Sequence, residues 1–199
     1  MKYLNLTKGF NPFNSHSSDE IEYKNFIFNG GEPHIKINCK QITPIIMVTQ
    51  RIQSFNDLGL LMVAMDALRQ EYNVGTKFML FLPYFPGARQ DRRMVEGEPL
   101  TVKTYANIIN SLNFTCVSIF DPHSDVAPAL LNNCEVIDNH KFVNRVINII
   151  DTRKATLLIS PDAGANKKVI ELAKALDYSY KSIIKCDKTR VPKTGELLN

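Results

Sequence analysis

Residues 44–49, Pro-Ile-Ile-Met-Val-Thr, form a short continuous apolar run, and the chain repeats this device. A strand with one wet face alternates apolar and polar residues; an unbroken run of this length fits a strand covered on both faces, as in a parallel sheet. Residues 78–82, 115–120, 134–137, 155–159 and 180–184 read as further strands. Between strands lie segments whose apolar residues recur every three or four positions. After Asn56-Asp57 these are Leu58, Leu61, Met62, Met65 and Leu68, an amphipathic helix. Residues 100–112, 141–150 and 163–176 also read as helices, the first with Glu98-Pro99 near its start, where proline is tolerated. Strands alternating with helices predict an α/β fold, parallel sheets flanked by helices. Residues 23–28 and 34–37 alternate around Asn29-Gly30-Gly31 and predict a hairpin, and residues 11–20 read as a surface loop.

The length, 199 residues, suits one or two domains. A boundary near 139–151 gives a domain over 1–139 and the first part of a second over 140–199. That second domain reads as incomplete, because few residues follow the last strand. The hydrophobic share of 44% and charged share of 22% are those of a water-soluble globular protein. Apolar runs stay short of the roughly 18 residues that would span a bilayer, and the start of the chain lacks signal-peptide features. The expectation is a cytoplasmic protein with no membrane role. The net charge of +4 is mild and dispersed. It suits phosphate ligands and argues against nucleic acid. Cys39, Cys116, Cys134 and Cys186 show no close pairing and read as free thiols in a reducing compartment.

Each polar cluster but the hairpin's follows a predicted strand, and strand ends on one edge of a parallel sheet converge in space. After residues 78–82 come Arg89, Gln90, Asp91, Arg92 and Arg93. Guanidinium groups keep their charge and match two phosphate oxygens at once; the alternative is a solvated charged loop. After residues 115–120 come Asp121 and His123, able to hold a divalent ion or to contact phosphate. Ser160-Pro161-Asp162 follows the strand predicted over 155–159, and Ser160 or Asp162 also suits a helix cap. Lys185, Lys188 and Arg190 sit in a basic loop after the last predicted strand that also reads as a charged surface turn.

These segments together resemble the ribose-phosphate pyrophosphokinases. The resemblance rests on Pro83-Tyr84-Phe85-Pro86-Gly87-Ala88-Arg89-Gln90-Asp91-Arg92, then Gly97-Glu98-Pro99-Leu100-Thr101, Asp121-Pro122-His123, Ser160-Pro161-Asp162-Ala163-Gly164, Lys188-Thr189-Arg190 and Phe28-Asn29-Gly30-Gly31-Glu32. It implies two phosphoribosyltransferase-like α/β domains, with transfer of the diphosphoryl group of ATP to ribose 5-phosphate. Arg89, Gln90, Asp91, Arg92 and His123 would bind ATP, with Phe28 stacking on the base and Glu32 in a polar role. Magnesium would lie near His123, Asp162 and Asp121, and Lys188 and Arg190 would be catalytic. The family forms homo-oligomers, typically hexamers, whose hairpin reaches a neighbouring subunit. Two departures stand out. Gly30 and Ala165 replace an aspartate and a glycine of the family pattern, and nothing after Arg190 matches the family's acceptor-phosphate loop. Two other readings follow from these departures, an inactive regulatory relative and a diphosphotransferase for another acceptor such as ADP-ribose; a type I phosphoribosyltransferase, which shares the fold, ranks last because it needs the loop that is not matched here.

Overall fold

The continuous apolar runs become the strands of a parallel sheet. The computed structural model describes residues 1–12, 19–38, 42–72, 74–150, 157–187, 189–190 and 197–198. In chain order its elements are β1 (Lys2–Asn5), β2 (Tyr23–Ile27), β3 (Pro33–Ile37), β4 (Ile45–Thr49), α1 (Phe55–Glu71), β5 (Lys77–Leu82), α2 (Thr101–Ser111), β6 (Cys116–Phe120), α3 (Val126–Leu130), β7 (Cys134–Ile137), α4 (His140–Ile150), β8 (Leu158–Ser160), α5 (Asn166–Ala175), β9 (Ile183–Lys185), β10 (Thr189–Arg190) and β11 (Leu197–Leu198). They divide between two compact units, residues 1–93 with 99–137, and residues 94–98 with 138–199.

In the first unit the sheet order is β1-β4-β5-β6-β7, and each neighbouring pair is parallel. Ile46, Val48, Leu80, Leu82, Val117 and Ile119 are buried in this sheet. Leu58, Leu61, Met65 and Leu68 of α1 join the same core, as do Val102, Ala106 and Ile109 of α2. Each such side chain larger than alanine gains about 1.5–3 kcal/mol by leaving water. Helix α1 begins where its first-turn amides find acceptors. Ser54 Oγ accepts from Asp57 N at 3.2 Å, and Asp57 Oδ2 accepts from Ser54 N at 2.8 Å. This reciprocal cap is worth about 1 kcal/mol. The predicted hairpin forms as the antiparallel pair β2–β3 and packs on α1 through Ile35.

Two elements lack a periodic signature in the sequence. β1 is four residues long and buries only Leu4, yet it pairs in parallel with β4 from Lys2↔Ile46 to Asn5↔Thr49. α3 spans five residues and contains Pro128.

The second unit pairs β8 with β9 in parallel and packs α5 on both; β10 and β11 pair antiparallel. Two expectations need correction here. Tyr180–Ser182 is a 3-10 turn, and the last predicted strand begins only at Ile183, because Ser179 Oγ accepts from Lys181 N and holds the turn. The helix predicted over 163–176 opens with a 3-10 turn, Ala163–Ala165, because the Asp162 side chain caps Ala165 N. Residues 155 and 156 of another predicted strand lie outside the described residues, as does most of the predicted loop over 11–20. Cys116, Cys134 and Cys186 carry free thiols, and Cys39 is outside the described residues. Among the described residues no helix is long and apolar enough to cross a membrane.

Candidate functional site

The strands of the first sheet all point one way, so the segments that leave their carboxyl ends share one edge. The segment after β5 is pinned at its base. Phe85 and Ala88 are buried, and the backbone turns twice, with Ala88 N donating to Phe85 O at 3.2 Å and Gln90 N to Gly87 O at 2.8 Å. Gly87 sits at φ +70°, and a Cβ there would meet Tyr105 at 3.1 Å and Thr101 at 3.2 Å. Glycine meets both demands, a left-handed turn and contact with α2. Gln90 O in turn accepts from Val102 N at 3.4 Å, in the first turn of α2.

On this base the arginines are left open. Arg89, Arg92 and Arg93 are exposed, and among the described residues none of them enters an ion pair or hydrogen bond. Gln90 is exposed beside them. Asp91 behaves differently. It is half-buried, and its carboxylate accepts a 2.6 Å hydrogen bond from Ser124 Oγ, which lies after the neighbouring strand β6. Ser124 Oγ also accepts from Val126 N at 3.4 Å. The segments after β5 and β6 are thereby tied together.

The segment after β6 carries Asp121 and His123. Asp121 holds φ +43° and donates its N–H to Ile137 O at 2.8 Å, at the end of β7. A non-glycine residue in this left-handed region stores on the order of 1 kcal/mol of strain, least for Asn and Asp. His123 is exposed. The structure thus brings Arg89, Gln90, Asp91, Arg92, Asp121 and His123 to one edge of one sheet. A cavity of about 160 Å³ lies at the opposite edge, lined by Asn110, Asn113, Phe114 and Asn133 among others. Its Asn110 and Asn133 amides are bonded to the Leu130 and Phe114 carbonyls, so it serves the turns there rather than the predicted site.

The hairpin carries its own aromatic group. Phe28 is 51% exposed, and its ring centroid lies 4.8 Å from that of Phe26 and 5.6 Å from that of His34. Phe28 N donates to Glu32 O at 2.9 Å, which closes the turn. An added Cβ at Gly30 would lie 2.6 Å from a Glu32 carboxylate oxygen, so an aspartate in that position would crowd a second carboxylate.

In the second unit, Asp162 Oδ1 accepts from Ala165 N at 3.0 Å, and the buried Ser160 donates its hydroxyl to Asp162 O at 3.0 Å. The capping role read for Asp162 is present in the structure. Arg190 lies in β10, and Lys188 is outside the described residues. Ser124 escaped sequence reasoning. Its only signal was a hydroxyl next to His123, and its partner is 33 positions away in the chain.

Comparison with known proteins supplies the context. No family model matches the chain. It is 28% identical over 181 residues to a ribose-phosphate pyrophosphokinase of Sulfolobus acidocaldarius, covering 89% of this chain and 59% of that protein. It is 30% identical over 156 residues to one of Mycoplasma genitalium, covering 75% of this chain and 46% of that protein. The phosphoribosylpyrophosphate synthetase of Mycobacterium smegmatis superposes with a TM-score of 0.72 at 14% identity, over 100% of this chain and 66% of that one. The chain thus spans about three fifths or less of the length of these curated relatives. Along 89% of its own length the chain is similar in sequence to a ribose-phosphate pyrophosphokinase, and it shares the fold of a phosphoribosylpyrophosphate synthetase.

Proposed function

We propose that the chain takes part in transfer of the β,γ-diphosphoryl group of ATP to the anomeric hydroxyl of ribose 5-phosphate, giving phosphoribosyl pyrophosphate and AMP. The observation that carries this reading is the set of three exposed guanidinium groups, Arg89, Arg92 and Arg93, unpaired among the described residues, on a segment that Asp91 ties to Ser124, the residue after His123. Three exposed cations on one loop suit a polyanion, and planar guanidinium forks suit phosphate oxygens best. The domains belong to the same reading, an N-terminal α/β domain over 1–139 and a phosphoribosyltransferase-like α/β region over 140–199.

In this mechanism the hydroxyl oxygen attacks the β-phosphorus, the bond to the α-phosphate breaks, and AMP leaves. The protein supplies position and charge, with no covalent intermediate. Arg89, Gln90 and Arg92 hold the triphosphate, with His123 beside them. Lys188 and Arg190 offset charge that grows at the transferring group; loss of one such preorganised contact costs about 3 kcal/mol of barrier reduction.

In this reading a magnesium ion arrives with the nucleotide. Among the described residues no three His, Cys, Asp or Glu side chains gather into a metal cage. Magnesium does not require one; it takes one or two protein carboxylates with phosphate oxygens and water. Asp121 and Asp162 are the carboxylates in this reading, with His123 nearby in sequence to the first. The bound ion supplies charge neutralisation of the phosphates.

The hairpin supports a homo-oligomer in which Phe28 and Glu32 reach a neighbouring copy's base pocket. Phe26, Ile27 and Phe28 are each about half exposed, an unusual apolar run for a two-stranded ribbon in water. The test is AMP release from ATP and ribose 5-phosphate, with magnesium present. The reading expects release that depends on both substrates and falls at least tenfold in Arg92→Ala. ATP consumption that ignores ribose 5-phosphate overturns the acceptor, and absence of AMP release overturns the reaction.

A further inference from the structure

The guanidinium groups of the segment after β5 flank a carboxylate in sequence, at Asp91, yet none of them pairs with it. A free carboxylate one or two residues from several arginines is expected to pair with one of them, since Coulomb attraction at contact distance is worth having even in a wet setting. Asp91 is instead occupied. Its carboxylate takes the hydroxyl hydrogen of Ser124 at 2.6 Å, a short bond in the range of those to ionised acceptors. Ser124 is fixed in turn by Val126 N, which donates to the same oxygen at 3.4 Å. The carboxylate is therefore held toward a neutral partner from the neighbouring strand end, and none of the three guanidinium groups pairs with it.

We infer that Ser124 is a positioning residue which occupies Asp91 and so keeps Arg89 and Arg92 free for an anionic ligand of the polyphosphate class. The inference rests on the nucleotide reading above, but assigns Asp91 a different part. It acts through Ser124, as the internal carboxylate that must be held off the cations, and makes no contact with phosphate. Removing the hydroxyl releases the carboxylate to compete with the ligand for the guanidinium groups. Removing the carboxylate's charge as well ends that competition.

The experiment is calorimetric titration of the full chain with inorganic tripolyphosphate, comparing wild type, Ser124→Ala, Asp91→Asn, the double variant, and Arg89→Ala combined with Arg92→Ala. Ser124→Ala is expected to weaken binding roughly threefold to fivefold, the scale of one exposed ion pair. Asp91→Asn in the Ser124→Ala background is expected to restore affinity to the wild-type level or above. A hydroxyl that merely braces the fold would give a double variant as weak as Ser124→Ala or weaker, and that result overturns the inference. Unchanged binding in Ser124→Ala, with binding lost in the arginine variant, also overturns it and leaves the nucleotide reading standing. Wild-type binding in the arginine variant overturns both.

Discussion

Gly59 lies so close to Pro33 that a Cβ on the glycine would sit 2.9 Å from the proline Cγ. Helix α1 and the first residue of β3 therefore meet with no room for a methyl group. A mid-helix glycine normally loses about 1 kcal/mol relative to alanine. Here the close approach reverses that preference, because a proline ring has little freedom to move aside. Gly59→Ala is expected to destabilise the protein by about 1–3 kcal/mol through overpacking, read as a lower urea midpoint. A gain in stability would show that the hairpin is not seated on α1 as described.

Gly87 tests the loop that carries the arginines. Its left-handed φ and its contact with Tyr105 and Thr101 both oppose a side chain. Gly87→Ala is expected to lose about 1–2 kcal/mol of stability and to weaken nucleotide binding, because the turn that follows fixes Arg89 and Gln90. Binding at the wild-type level in the folded variant would separate the turn from the site.

The cap of α1 is a third point. Ser54→Ala leaves Asp57 N without its acceptor and takes the hydroxyl from the Asp57 carboxylate. The expected loss is about 1 kcal/mol, measured by thermal or urea unfolding. A change within error would mean that water replaces the cap at no cost.

Stability should also fall in alkali. Burial pushes the Tyr23 hydroxyl above its ordinary value of 10.0. Burial, with smaller contributions from the Cys116 thiol and the Glu135 carboxylate, pushes the Cys134 thiol above its ordinary value of 9.0. Both groups are neutral when protonated, and the folded state holds those protons longer than the unfolded chain does. Their contribution is therefore intact below the ordinary values and is lost as pH climbs from about 9 through the raised ones. Urea midpoints measured across that range should drop, and Tyr23→Phe combined with Cys134→Ser should flatten the decline. An unchanged slope in that variant would place the alkaline loss elsewhere.

The parallel sheet was legible because burial on both faces writes itself as unbroken apolar runs, as in residues 44–49 and 78–82. The α1 helix was legible from the spacing of Leu58, Leu61, Met65 and Leu68, which are the residues it buries. β1 was not, because its place depends on pairing with β4, more than 40 positions away. The late start of β9 was hidden in one local hydrogen bond from Lys181 N to Ser179 Oγ. The arginines, Gln90, Asp121 and His123 could be read from their position after strands. What they do to one another could not. The Asp91–Ser124 bond and the absence of an arginine partner for Asp91 are tertiary facts with no counterpart in spacing.

The central claim is that the carboxyl edge of the first sheet holds a nucleoside triphosphate through Arg89 and Arg92. Calorimetric titration of magnesium-ATP into the chain, with Arg89→Ala and Arg92→Ala alongside, tests it most directly. Saturable binding that weakens by about tenfold in each variant, about 1.4 kcal/mol, is the expected result. Binding of equal strength in all three proteins, each shown to be folded, would contradict the account.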